Sequence, residues 1–420
     1  MLETTELLPG ITLRCFRDDR FKQGALSIQF IRLMNKEEAA LNALLPAVLL
    51  RGSESYPDLR AITLRLDDLY GASVGALVRR VGDLQTTGFY CNFIADRYTL
   101  GGEALLAPMV QFVGQLLLEP VTEKGVFLKS YVESEKKNLI ATLQTQMNDK
   151  RVYAGAKLME NMCKDDPFGV PRLGRVEDAQ KVTAKKLYTH YRNILKESAI
   201  DLFYVGPQPI EQVASVLKPL FEGLERCYVP LPAQTAFHAG PESHTGQTMD
   251  VTQGKLAIGY YTPITSRHRD FAAMQVFNTL FGAGMTSKLF VNIREKQSLC
   301  YDIGSGYYGS KGILTVNAGI DWEKEKLVRS EIEKQLHACR EGNISPEELA
   351  GAKESLCSAL RGTHDSPGAI EGYYGSGVLS GYTDPPAVYI EKVRSVTAED
   401  CARVAKTLCC HSSFFLKGGV

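Results

Sequence analysis

Apolar residues recur with a period close to two over residues 26–31 (Leu-Ser-Ile-Gln-Phe-Ile) and 256–261 (Leu-Ala-Ile-Gly-Tyr-Tyr). That spacing predicts a β-strand at each place. Each strand leads through a polar stretch into an apolar segment of helical spacing, over about residues 36–50 and 269–280. In the first of these, Asn35 is placed as an N-cap, with Glu37 and Glu38 in the first turn. A second helix follows in each case (58–70 and 287–296), then further strands that include residues 88–93 and 312–316. A long charged amphipathic helix comes next. Its later copy opens with Ser345-Pro346-Glu347-Glu348, a serine cap with proline at the first helical position and acids in the first turn. The last helix of each series starts at Thr183 and at Thr397.

The same order of elements occurs twice, and short identities support a duplication. Gln23-Gly24-Ala25-Leu26-Ser27-Ile28 matches Gln253-Gly254-Lys255-Leu256-Ala257-Ile258 at an offset of 230 residues, which also carries Gly52 onto Gly282 and Leu69 onto Leu299. Val182-Thr183-Ala184 matches Val396-Thr397-Ala398 at an offset of 214, so the second copy has lost residues in between. Internal repetition of this kind governs the fold. The expected class is α+β: two homologous domains, each a mostly antiparallel sheet with helices packed on it. The N-terminal repeat is expected over residues 1–228 and the C-terminal repeat over 250–420. Residues 229–249, rich in Pro, Gly, Ser, Thr and His, read as an exposed linker.

Composition narrows the function classes. The chain has 420 residues, enough for more than one core. Lys plus Arg and Asp plus Glu both number 48, so no global charge draws it to nucleic acid or to an acidic membrane surface. No apolar run has the length of a membrane span. The first residues, MLETTELLPGITLRC, are acidic and lack a continuous apolar stretch, which predicts no signal peptide or presequence. Ten scattered cysteines without a CxxC pair read as reduced thiols in the cytoplasm; adjacent Cys409 and Cys410 read as packing residues, with soft-metal binding as the other option.

Residues 281–307, FGAGMTSKLFVNIREKQSLCYDIGSGY, carry a recognisable pattern. They resemble the C-terminal domain of the insulinase/pitrilysin metallopeptidases, in the branch of mitochondrial processing peptidase and its bacterial relatives, whose domains read roughly LGGGMSSRLF-xx-VREK-xGLAY. Gly284-Met285-Thr286-Ser287-Lys288-Leu289-Phe290, Arg294-Glu295-Lys296, Leu299 and Tyr301 stand at matching spacing. So do Ile344-Ser345-Pro346-Glu347-Glu348-Leu349 leading into Ala352-Lys353, and, in the first half, Asp166-Pro167 followed by Leu173-Gly174. The resemblance runs through nearly the whole chain in order.

Active members carry an inverted zinc motif, H-x-x-E-H, in the first repeat; two histidines one turn apart hold the metal and the glutamate activates water. Laying Val48-Leu49-Leu50-Arg51-Gly52-Ser53 under the family's following segment puts Ala43, Pro46 and Ala47 at the His, Glu and His positions. A third ligand, a glutamate on a later helix, falls at Thr142, with Glu135 one family step before it. No two of the seven histidines are four residues apart. The expectation is therefore no metal or other cofactor in this chain. By the same resemblance, an Arg and a Tyr from the second repeat reach across to a substrate held near zinc, the Tyr donating to the scissile carbonyl oxygen and the Arg binding a neighbouring carbonyl. Here the candidates are Arg294 and Tyr301.

The function this implies is the zinc-less subunit of a heterodimeric metallopeptidase. It would be inactive alone and would supply Arg294 and Tyr301 in trans to a zinc-bearing homologous partner. Substrates would be unfolded peptides or flexible protein segments, with no nucleic acid and no membrane involved. The alternative is a non-proteolytic scaffold or peptide-binding protein of the same fold. An independent enzyme with a different site is a third option, although no G-x-S-x-G elbow appears.

Overall fold

In the computed structural model, which describes residues 2–419, the two alternating segments are the central strands of two sheets. The first sheet has β1 (Leu2–Leu8), β2 (Ile11–Arg17), β3 (Gln23–Leu33), β4 (Ser73–Val81), β5 (Leu84–Ile94) and, after a two-stranded ribbon of β6 (Thr122–Glu123) and β7 (Val126–Phe127), β8 (Ala199–Gly206). The second has β9 (Ser243–Met249), β10 (Gly254–Tyr261), β11 (Cys300–Tyr308), β12 (Ile313–Ile320) and β13 (Cys409–Gly418). Setting β1 aside, the spatial orders are β4-β5-β3-β8-β2 and β11-β12-β10-β13-β9. All neighbours are antiparallel except the last of each series, β8 with β2 and β13 with β9, which are parallel. The two halves thus repeat one topology, strand for strand, as the sequence offsets predict.

The period of two explains what the central strand β3 buries. Leu26, Ile28 and Phe30 join the main core of the first unit. Ala25, Ser27 and Gln29 point to the other face, where Ala25 packs with Phe203, Ile370 and Tyr374. The polar pair is answered there by Glu371, whose fully buried carboxylate accepts from Ser27 Oγ at 2.9 Å and Gln29 Nε2 at 3.0 Å and pairs with Arg79 at 2.8 Å. Buried polar atoms are tolerated only when so satisfied.

Packing divides the chain into two compact units. One holds the residues up to Gln144 with 170–233 and 364–376; the other holds 145–169 and 234–363 with Gly377 onward. Each unit therefore includes a segment from the opposite half of the chain. In the second unit the Lys150–Met162 helix lies on β10 and β13, with Tyr153, Ala154 and Leu158 against Ala257, Phe414 and Leu416. In the first unit the start of the Pro367–Ser380 helix contributes Ile370, Glu371 and Tyr374. Tyr374 packs against the Phe16 ring.

Capping chemistry sets several helix starts. Asp58 accepts from Ala61 N ahead of Leu59–Asp68, Thr183 caps Ala184–Glu197, and Ser345 and Thr397 form capping boxes with Glu348 and Asp400. The first apolar helix begins later than its charge pattern suggests, at Ala39 rather than near residue 36. Asn35 Oδ1 instead accepts from Glu37 N to close a turn, and Glu38 is drawn to Arg32 at 2.8 Å. The segment read as linker is also more structured than its composition suggests. Phe237 is buried against Tyr261 and His411, and residues from Ser243 onward form the polar edge strand β9.

Asp166, part of the Asp-Pro segment in the family pattern, holds the second unit together. Its carboxylate accepts from Phe168 N at 2.8 Å and pairs at 2.9 Å with Lys311, which is fully buried. Removing one member of such a pair strands a charge. Lys311→Met is expected to destabilise the protein by about 3–5 kcal/mol, read as a lower urea midpoint for the unfolding of this unit; an unchanged midpoint would show that the pair contributes nothing.

Candidate functional site

The helix Ala39–Leu49 carries the three positions where the family places its zinc motif. Ala43 is buried and offers only a methyl group; Ala47 is half-buried. Pro46 continues the helix but lacks the amide that would bond the Asn42 carbonyl four residues back. That carbonyl is satisfied from outside, by Thr87 Oγ1 of β5 at 2.6 Å. The Asn42 side chain, itself buried, donates to Gln85 Oε1 at 2.8 Å and meets His190 Nε2 at 2.7 Å. Because the Asn42 amide nitrogen is spent on Gln85, its oxygen faces His190, which makes Nε2 the protonated nitrogen of a neutral imidazole. Beside Pro46 remains an apolar void of about 10 Å³, lined by residues such as Phe30, Leu45, Leu49 and Tyr191. That is at the lower limit for a single water.

Thr142 lies exposed on the Lys129–Asn148 helix and donates to the Asn138 carbonyl at 3.0 Å. Glu135 is paired with Arg51 at 3.3 Å, with the guanidinium over the Tyr131 ring. Among the described residues no group of three His, Cys, Asp or Glu side chains could hold a metal ion. The residues at the family's metal positions do not fit zinc: two methyls, a pyrrolidine ring and a hydroxyl tied to its own helix. Cys409 and Cys410 pair with Tyr261 and Tyr260 along β13, so they point to opposite faces of the sheet and cannot chelate one ion.

Arg294 and Tyr301 are brought together on one cleft of about 450 Å³ in the second unit, with Glu295, Ser298, Cys300, Asp321 and Lys324. Each is set there by a backbone irregularity. Arg294 sits in a π-helical turn, Phe290–Glu295, a feature frequent at functional sites. Tyr301 is the extra residue of a β-bulge: Cys300 opposes Ile320 and Asp302 opposes Gly319, which leaves Tyr301 without a partner and turns its side chain outward. Tyr301 is 59 % exposed. Arg294 lies over the Phe290 ring at 4.5 Å and meets Glu295 at 3.6 Å. The Gly282-Ala283-Gly284 segment braces the same strand. Gly282 O accepts from Ser305 N at 2.9 Å, and a Cβ at Gly282 would stand 2.6 Å from Ser305 Oγ, so the close approach requires glycine.

The electrostatics of the cleft centre on Asp321. Tyr301 Oη donates to Asp321 Oδ1 at 3.0 Å, and Lys324 Nζ meets Asp321 Oδ2 at 2.8 Å. The hydrogen bond to Asp321 raises the Tyr301 phenol above its ordinary value, while Lys324 and then Tyr301 lower the Asp321 carboxyl. Burial pushes the Cys300 thiol up to about 11, so the cleft holds no thiolate nucleophile. Asp321 and Lys324 escaped the sequence reading because they lie some twenty residues downstream of Tyr301, joined to it only by the β11–β12 pairing. His190, Asn42 and Thr87 escaped it too; the one available signal was Pro46, whose missing amide demands a donor from elsewhere.

These features define a metallopeptidase-type α+β chain. Comparison with known proteins agrees. Residues 181–356 match the family described as "Peptidase M16 inactive domain". A "Probable inactive metalloprotease YmfF" of Bacillus subtilis is 31% identical over 409 residues, covering 97% of this chain and 96% of that protein. Among solved structures, a conserved protein from Enterococcus faecalis superposes with a TM-score of 0.93 at 27% identity, over 100% of this chain and 99% of the other. A peptidase M16 inactive domain from Pseudomonas fluorescens superposes with a TM-score of 0.79 at 16% identity, over 100% and 98%. The chain belongs to the M16, or insulinase/pitrilysin, peptidase family.

The His190 network has a consequence for acid stability. Burial pushes the His190 imidazole down to about 4, whereas an unfolded histidine titrates near ~6.5. The unfolded chain therefore takes up this proton first, and stability is lost as pH falls from about 6.5 towards 4. Asp201, pushed up to about 6 by burial, contributes with the opposite sign over much of the same range. Comparing wild type with His190→Gln isolates the histidine. The variant is expected to lack an acid-limb loss of roughly 3 kcal/mol, and parallel stability profiles between pH 7 and 4 would refute the assignment.

Proposed function

We propose that this chain is the zinc-less subunit of a heterodimeric M16 peptidase, supplying Arg294 and Tyr301 in trans to a homologous partner that bears zinc. The observation that carries this reading is that both side chains are placed in an open cleft by local irregularities, a π-turn and a bulge, and neither is spent on the core. The positions aligned with the family's metal ligands carry two methyls, a pyrrolidine ring and a hydroxyl tied to its own helix, so in this reading the two donors have chemistry to contribute only where another chain provides the metal. Donors aimed at a developing oxyanion are worth about 2.7–4 kcal/mol each.

The substrate class in this proposal is an unfolded peptide or flexible protein segment. Strands β4 and β11 each end their sheet, and such an edge pairs with an extended chain through main-chain hydrogen bonds. The working compartment in this reading is the cytoplasm, with the thiols reduced. No helix among the described residues is long and apolar enough to cross a membrane.

The test is to purify the tagged chain with its partners from its native cells and to assay a quenched peptide with and without chelator. The expected result is a similar-sized H-x-x-E-H protein in equal amount and chelator-sensitive cleavage. Tyr301→Phe and Arg294→Ala should each lower kcat/KM by about 10²–10³-fold while leaving the complex assembled. Unchanged activity in both variants would leave a scaffold or peptide-binding role as the better account.

A further inference from the structure

A phenol has one proton, and in this cleft it is already committed. Tyr301 Oη donates to Asp321 Oδ1 at 3.0 Å, and Asp321 is kept anionic by Lys324 on its other oxygen at 2.8 Å. With its proton turned to Asp321, Tyr301 shows lone pairs to the rest of the cleft. Arg294 can only donate. The pair therefore presents one donor and one acceptor, the complement of the C=O and N–H of a peptide backbone. Two donors aimed at one oxyanion would need a different arrangement.

We propose that Asp321 is a positioning residue that holds Tyr301 as an acceptor for a substrate N–H in the ground state and releases it to donate to a carbonyl oxygen only afterwards. This rests on the reading above that Arg294 and Tyr301 meet substrate backbone. The backbone pairing makes the arrangement specific. The register that opposes Cys300 to Ile320 sets the bulged Tyr301 next to the residue that follows β12, which is Asp321. Lys324 reaches the carboxylate from the short helical turn Trp322–Lys324. The other charged groups on the cleft, Arg294 and Glu295, face each other at 3.6 Å and leave Asp321 to Tyr301 and Lys324. The raised phenol and lowered carboxyl are in the direction this hydrogen bond requires.

Two measurements test this. In the chain alone, with tyrosines carbon-13 labelled at Cζ, the Tyr301 resonance is identified by its loss in Tyr301→Phe and titrated. Asp321→Ala is expected to lower its midpoint towards the ordinary value near ~10. In the peptidase complex, Asp321→Ala should raise KM and kcat together by about fivefold each, the worth of one ordinary hydrogen bond lost from the ground state. In the Tyr301→Phe background the same substitution should change neither, because Asp321 acts through the phenol. An unshifted titration, or an Asp321→Ala effect that persists without the phenol, would overturn the role of Asp321 alone. A Tyr301→Phe complex with full activity would overturn the trans-supply reading, and the ordering step with it, even where the titration shifts.

Discussion

One carbonyl governs how the helix Ala39–Leu49 is held in its core. Pro46 deprives Asn42 O of its helical amide, and an unanswered carbonyl in a buried helix is expensive. Thr87 answers it from the adjacent strand. The Asn42 side chain then binds Gln85 and the neutral His190. Ala43 and Ala47 offer only methyl groups, and the residual void is apolar and at the lower limit for a single water.

The fold depends on the arrangement of each unit as much as on the helix. The central strand β3 is buried on both faces, which an antiparallel sheet with one wet face would not require. Its second face is closed by the helix from the other half of the chain, through Glu371 with Ser27, Gln29 and Arg79. The Lys150–Met162 helix plays the corresponding part on β10, where Gly259 leaves room for Met162. Folding of either unit thus uses residues from both repeats, a constraint that acts whether or not the chain performs chemistry.

The cleft of Arg294 and Tyr301 follows another logic. A π-turn and a bulge each interrupt a regular ladder, and both interruptions fall on the two residues that the family pattern singles out. Regular helix and strand would have served stability as well or better. The surrounding charges are balanced, Arg294 against Glu295 and Lys324 against Asp321.

The duplicated α+β plan was legible in the sequence because it rests on local rules. Period-two strands, cap residues such as Ser345 and Thr397, and the repeated Gln-Gly strand starts act over a few residues and survive in any context. The absence of an H-x-x-E-H motif is visible in the sequence without coordinates. The start of the first helix was misplaced because the Arg32–Glu38 pair and the Asn35 turn compete with a cap. The polar edge strand β9 read as linker because its pairing energy comes from β13, some 170 residues away. Only the tertiary structure could assign Glu371 to β3, His190 to Asn42 and Asp321 to Tyr301. Those contacts join side chains distant in sequence, and no periodicity or spacing records which distant partner will satisfy a buried carbonyl, a buried carboxylate or a phenol's single proton.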